Sequence, residues 1–167
     1  MLAQEQWLDR VDDPAGREAA LWQGYLDYAS ALGNRAQLLQ GDEAGWLSYA
    51  QTIQSSDPLG ARAVYAYSVM QVRGLAEREL ALMNFLTQLI AQGHEGSAAR
   101  LINARPWGGP PLEAEFFTRW LNSVAVSAGW RRKVSAAVGR SLLQRQENLS
   151  AAAYFADAAL GEAGAWD

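Results

Sequence analysis

The chain has 167 residues, of which half are apolar and 19% are charged, a composition typical of a globular domain and not of a disordered chain. It contains no cysteine and a single histidine, which excludes disulfides, thiolate nucleophiles, cysteine-ligated metal centres and sites that need two imidazoles from one chain. The formal net charge of −4 argues against a nucleic-acid partner, because nucleic acids favour basic surfaces.

The chain carries no signal for a membrane or for secretion. Its longest apolar stretch, 80–91, is shorter than the roughly 18 residues that a membrane span needs. The N-terminal residues have neither the basic start nor the apolar stretch of a signal peptide. We therefore expect a soluble, cytoplasmic protein without a membrane span. A secreted form whose leader has been trimmed is the alternative.

The spacing of apolar residues is helical almost throughout, and proline and glycine mark the breaks. Strand signals are weak, with no Asn-Gly or Asp-Gly hairpin turn. Asp13-Pro14 and Asp57-Pro58 are each typical of an N-cap followed by proline in the first helical turn. The pattern predicts helices near residues 2–11, 15–32, 42–55, 58–73, 75–92, 95–104, 111–128, 130–145 and 148–162.

Short connections join these helices, so consecutive helices are expected to form antiparallel hairpins. Residues 61–72 and 80–90 are apolar on nearly every face, which predicts two central helices that others cover on several sides. The expected fold is a single all-α domain over residues 1–167. Its helical hairpins either stack as a short repeat-like array or form an irregular bundle.

Three of the helix pairs begin about 36 residues apart, a period typical of helical repeat arrays. In the last pair, the small residues Gly139 and Ala151 would let two antiparallel helices approach closely. Phe155 would fill the space beyond them, and Ala158 would leave room for a further pair. The three pairs are 58–92, 95–128 and 130–162.

This order of small, small, aromatic and small side chains resembles the tetratricopeptide repeat, over roughly 100 residues of the chain. Ala81 and Phe85 repeat part of it two periods earlier, but Val69 replaces the glycine there. In the pair between, bulky Phe116 stands where a small residue belongs. The resemblance implies binding of a peptide or protein on a concave face formed by the first helix of each pair. A fold alone does not fix a function.

No catalytic or metal-binding constellation is apparent. His94, at a predicted helix start, has no assignable nucleophile or orienting acid, so we interpret it as an exposed turn residue. Glu77 and Glu79 lie two residues apart and therefore point to different faces of a helix. The chain has no Glu-x-x-His pair and no phosphate loop. We predict no catalytic residue, no metal and no cofactor.

The basic cluster at the start of the eighth predicted helix is a candidate binding site. It contains Trp130, Arg131, Arg132 and Lys133, and Arg140 follows two turns later. Basic side chains beside an aromatic ring could hold an acidic peptide, a phosphate or a nucleic-acid backbone. The alternative is a solvated first turn of a helix.

Two further candidate positions come from a loop and from the central helices. Trp107, in the proline-rich break of the chain, is predicted to anchor an interface; the alternative is that it fills a gap between two hairpins. Tyr65 and Arg73 would share one face of a groove with Lys133 and Arg140.

The first hypothesis of function is a non-catalytic module that binds a protein or peptide partner in a groove between helical hairpins. The second is an enzyme or small-ligand carrier with an apolar pocket inside the bundle. The residues that would line this pocket are Tyr65, Tyr67, Met70, Phe85 and Trp120. A third hypothesis is assembly of the chain with itself. The last helix would mediate it through Tyr154, Phe155 and Leu160.

Overall fold

The computed structural model describes residues 14–36, 43–72, 74–123 and 128–163, which form eight α-helices and no strand. The all-α prediction is therefore confirmed for these residues. The predicted helix 2–11 and the candidate residue Arg73 lie outside them. The helices are α1 (Pro14–Ala36), α2 (Glu43–Ile53), α3 (Pro58–Gln71), α4 (Leu75–Ala91), α5 (Glu95–Ala104), α6 (Ala114–Ser123), α7 (Ala128–Gln144) and α8 (Asn148–Ala163).

The chain divides into two compact units, Met1–Gln88 and Leu89–Asp167, and the boundary between them lies inside α4. The prediction of a single domain stays a prediction. None of the helices in the described ranges combines the length and the apolar character that a bilayer crossing requires.

In the first unit, α1 and α2 both pack against α3. Asp57 caps the start of α3, because its Oδ1 accepts a hydrogen bond of 2.9 Å from the Gly60 amide, and Pro58 occupies the first turn. The cap predicted from Asp57-Pro58 is thus confirmed. Every residue from Gly60 to Ala66 is buried, so α3 is central in this unit, as its apolar faces predict.

Aromatic side chains fill the core between α1 and α4 in this unit. The Phe85 ring is fully buried and meets the rings of Trp22 and Tyr25 edge to face, with centroids 5.3 Å and 5.4 Å away. Such T-shaped pairs stabilise a core beyond the area that they bury. The guanidinium of buried Arg62 lies 6.0 Å from the Tyr25 ring centroid.

In the second unit, α5, α6 and α8 all pack against α7. Gly139 of α7 faces the edge of the Phe155 ring of α8, and a Cβ at position 139 would lie 2.9 Å from Phe155 Cε1. Ala151 of α8 is buried as well. The close helix approach predicted from these residues is therefore confirmed. The resemblance to the tetratricopeptide repeat stays a prediction.

Candidate binding groove

An open groove of 590 Å³ lies in the second unit. Its sides come from the segment that leads into α6, the C-terminal end of α7 and the N-terminal half of α8. Most of the lining residues along its rim are exposed. The lining residues are Pro111, Leu112, Glu113, Ala114, Phe117, Leu142, Arg145, Glu147, Ser150, Ala153 and Tyr154.

The groove has an apolar floor. Phe117 of α6 is 1% exposed and Leu142 of α7 is 5% exposed, so both are held by the core beneath. Tyr154 of α8 meets Phe117 edge to face, with ring centroids 6.1 Å apart. A preformed apolar floor on packed helices allows an apolar side chain of a partner to be buried away from water.

Arg145 forms the polar wall of the groove, and a hydrogen-bonded network holds its side chain in place. Arg145 Nε donates to Asn103 Oδ1 at 2.7 Å, and Arg145 Nη1 donates to the Leu112 carbonyl at 3.0 Å. Asn103 Oδ1 also accepts from Ser141 Oγ at 2.7 Å, and Asn103 Nδ2 donates to Gln144 Oε1 at 2.8 Å. The network joins α5, α7 and the segment before α6, and it fixes the guanidinium beside the groove.

The same network explains where α6 begins. A helix that started near residue 111, as predicted, would direct the Leu112 carbonyl to a backbone amide of the next turn. That carbonyl accepts from Arg145 instead, and the first backbone bond of the helix runs from the Phe117 amide to the Glu113 carbonyl. The helix therefore begins at Ala114.

Arg145 is a partly buried cation that has no carboxylate closer than 4.0 Å among the residues that the structure describes. Its nearest ion pair joins Nη1 to Glu147 Oε1 at 4.0 Å, with side chains 20% and 47% exposed. Burial lowers the pKa of the Arg145 guanidinium, and the charge of Arg105 lowers it further, while Glu147 and Glu113 act in the opposite direction. The guanidinium remains charged at neutral pH, because an arginine pKa is far above it.

The loop between α5 and α6 contains the buried Trp107 and has three residues with positive φ angles at positions 105–109. Arg105, Gly108 and Gly109 have φ angles of 49°, 78° and 93°, a region that glycine adopts without strain. Arg105 Nη1 donates to the Gly109 carbonyl, which ties the loop together. Trp107 is only 5% exposed, so its burial removes it as an exposed anchor of an interface.

The basic cluster lies at the opposite end of α7 from the groove. Lys133 and Arg145 are twelve residues apart, which is roughly 18 Å along a helix. Lys133 Nζ lies 5.5 Å from the Trp130 ring centroid, and Arg132 is half-buried. Lys133 and Arg140 are both exposed and two turns apart, so they share a face of α7. The structure does not bring this cluster to the groove.

Arg131, a member of this cluster, pairs with Asp157 of α8. Arg131 Nε lies 3.4 Å from Asp157 Oδ2, and the same oxygen accepts a hydrogen bond of 2.6 Å from Ser135. The Ser135 hydrogen bond is the largest cause of the lowered pKa of Asp157. This cluster therefore contributes to the packing of α7 against α8.

The predicted internal pocket stays a prediction, whereas the place predicted for Tyr65 on the groove face needs correction. Tyr65 is 2% exposed, and burial raises the pKa of its hydroxyl. Phe85 and Trp120 are fully buried, while Met70 is exposed. Tyr65, Phe85 and Trp120 belong to the cores of their units, so Tyr65 is not available at a groove surface. The groove described above is lined by other residues.

The residues that the sequence reasoning missed are Asn103, Phe117, Leu142 and Arg145. One signal was available, because Ser141 and Arg145 lie four residues apart and therefore on one helix face, where one partner can bond both. The sequence does not identify that partner, since Asn103 lies 38 residues before Ser141.

The groove combines apolar and polar groups. It offers an apolar floor, a fixed guanidinium and two helix N-termini, which attract negative charge. Within the described ranges, no group of three or more His, Cys, Asp and Glu residues could hold a metal ion. Comparison of the chain with protein-family models, with curated proteins and with solved structures gives no match.

Proposed function

We propose that this chain is a non-catalytic binding module that holds a peptide segment of a partner protein in the groove of its second unit. The observation that carries the proposal is the groove itself, with its volume of 590 Å³, its buried apolar floor and its polar wall. Interfaces of this kind bind through a few apolar side chains that enter well-packed pockets, surrounded by a polar rim.

The exposed rim favours a peptide over a small molecule. Small-ligand sites enclose most of the ligand surface, whereas Pro111, Glu113 and Ala153 along this groove are exposed. Leu143 and Leu149, at the turn between α7 and α8, are 51% and 91% exposed. Apolar side chains at the same end of the hairpin enlarge the surface that a partner could cover.

The resemblance to the tetratricopeptide repeat supports the proposal at the level of fold. Proteins of that family bind peptides, and the contact between Gly139 and Phe155 has the close approach that its motif requires. This groove, however, lies among α6, α7 and α8, not on a face made of first helices alone. The function therefore rests on the groove and not on the family.

A small-ligand carrier is the second candidate function. The groove volume falls within the roughly 300–1,000 Å³ of known ligand sites. A variant with a larger side chain on the rim separates the two candidates, because it should lose peptide binding and keep binding of a small ligand. A peptide needs the open length of the groove, whereas a small ligand needs only its floor.

Peptide selection from a display library on the immobilised full chain tests the proposal. Ala153 lines the groove and is exposed, so Ala153→Phe should obstruct it without disturbing the core. Ala152 is exposed and does not line the groove, so Ala152→Phe is the matched control. Circular dichroism and thermal unfolding would verify the fold of both variants.

Selected peptides should bind the wild type and Ala152→Phe equally, and Ala153→Phe about tenfold more weakly, which is a typical loss at a central contact of an interface. Failure to enrich any peptide, or enrichment of peptides that bind Ala153→Phe as well as the wild type, would contradict the proposal.

A further inference from the structure

We infer that the partner peptide presents an acidic side chain next to an apolar one, and that its carboxylate pairs with Arg145 while the apolar side chain rests on Phe117 and Leu142. This inference rests on the proposed function and specifies the chemistry of the partner. It follows from the hydrogen bonds of Arg145, from the charges around the groove and from the position of the apolar floor.

The Arg145 guanidinium has donors to spare. Its two close hydrogen bonds go to neutral oxygens, the Asn103 amide and the Leu112 carbonyl. Its Nη2 atom is buried and, among the described residues, has no hydrogen-bond partner. A carboxylate is a stronger acceptor for a guanidinium than a neutral oxygen, because the hydrogen bond is charge-assisted. No carboxylate of the described residues lies closer to it than that of Glu147, at 4.0 Å.

Charges of both signs line the groove, those of two carboxylates and one guanidinium. Glu113 and Glu147 are exposed, so water screens their charges more strongly than it screens the less exposed Arg145. Arg105 adds a second positive charge that acts on Arg145. The N-termini of α6 and α8 both border the groove, and each contributes a positive partial charge.

The floor sets the second requirement on the partner. Phe117 and Leu142 lie in the same groove as Arg145, so one short peptide segment can reach both the floor and the cation. An apolar side chain contributes binding energy through the area that it removes from water. The carboxylate fixes the orientation of the peptide through its hydrogen bond to the guanidinium. A peptide with only one of these features would use half of the site.

Blocked synthetic peptides provide the test. Each is acetylated and amidated, so that it has no terminal charge, and contains one phenylalanine among alanines with one glutamate. The glutamate is moved through every position, and each peptide has a twin with glutamine instead. Binding to the full chain is measured for the wild type, Arg145→Gln and Arg119→Gln. Arg119 is exposed on α6 and does not line the groove, so its variant removes one positive charge without touching the site.

The best glutamate peptide should bind the wild type about tenfold more tightly than its glutamine twin, as a charge-assisted hydrogen bond allows. Arg119→Gln should keep this preference, and Arg145→Gln should lose it. If Arg145→Gln does not fold, Arg145→Lys replaces it, and the preference should then be reduced because lysine lacks the planar fork. Equal binding of the twins by the wild type, or an unchanged preference in the Arg145 variant, would overturn the inference.

The same peptides separate this inference from the proposed function. If both twins bind equally and Ala153→Phe weakens both, the groove binds peptides but does not select acidic ones. If no peptide responds to Ala153→Phe, neither the groove function nor the acidic preference stands.

Discussion

The close contact between α7 and α8 leads to a sharp prediction of stability. A Cβ at position 139 would lie 2.9 Å from Cε1, 3.0 Å from Cζ and 3.1 Å from Cδ1 of Phe155. Carbon atoms pack best at roughly 3.5–4.0 Å, so all three distances are too short. The substitution Gly139→Ala must therefore displace the ring or separate the two helices.

Two opposing terms set the size of the effect. Overpacking of a core contact costs about 1–3 kcal/mol. Replacing glycine by alanine inside a helix gains about 1 kcal/mol. We therefore expect Gly139→Ala to lower the free energy of unfolding by about 0–2 kcal/mol, the difference between the two terms. In a Phe155→Ala background the ring is absent, so the same substitution should stabilise the protein by up to about 1 kcal/mol.

Urea unfolding of the wild type, both single variants and the double variant measures the coupling between the two positions. The coupling should equal the steric term, about 1–3 kcal/mol. If Gly139→Ala has the same effect in both backgrounds, the ring does not limit the approach of the helices, and the reasoning is refuted.

Three further predictions concern single side chains. The hydrogen bond from Ser135 holds the pKa of Asp157 below its ordinary value of 3.8. The ionised Asp157 therefore stabilises the folded protein above pH 3.8, and this contribution is lost as the pH falls through the lower pKa of the folded state. The difference in unfolding free energy between the wild type and Asp157→Asn should thus shrink on acidification below pH 3.8, and a constant difference would contradict this. Asn103→Ala removes the acceptor shared by Ser141 and the guanidinium, and should cost about 1–3 kcal/mol in urea unfolding; a neutral result would exclude a role for the network in stability. Phe85→Ala deletes a fully buried ring and should cost about 3–5 kcal/mol by the same assay, whereas a loss below about 1 kcal/mol would show that the ring is poorly packed.

The sequence predicts the helices well because their signals are local. Periodicity, the Asp57-Pro58 cap and the short breaks all act within a few residues, and most described helices begin and end close to their expected positions. The close approach at Gly139 was also predictable, because a glycine within a helix has no Cβ and lets a neighbouring helix come close. The start of α6 was not, because a side chain 33 residues away holds the Leu112 carbonyl.

The groove was not predictable because it depends on tertiary packing. Tyr65 and Trp107 were candidates for exposed contacts, and both are buried, since an aromatic side chain serves a core and an interface equally well. The charge of Arg145 was visible in the sequence, but its fixed position beside an apolar floor depends on Asn103, which lies on another helix. The residue type therefore predicts the chemistry of a side chain, whereas its position in the fold depends on tertiary packing.

Mapping of amide chemical shifts by NMR, with the tightest selected peptide added to the full chain, tests the central proposal most directly. Binding in the groove predicts that the largest shifts occur at Ala114, Phe117, Ser150 and Ala153, which line it. The first unit also has exposed apolar side chains, which form a natural comparison surface. If the largest shifts occur there instead, at Met70, Leu75 and Leu80, the groove is not the binding site and the account is contradicted.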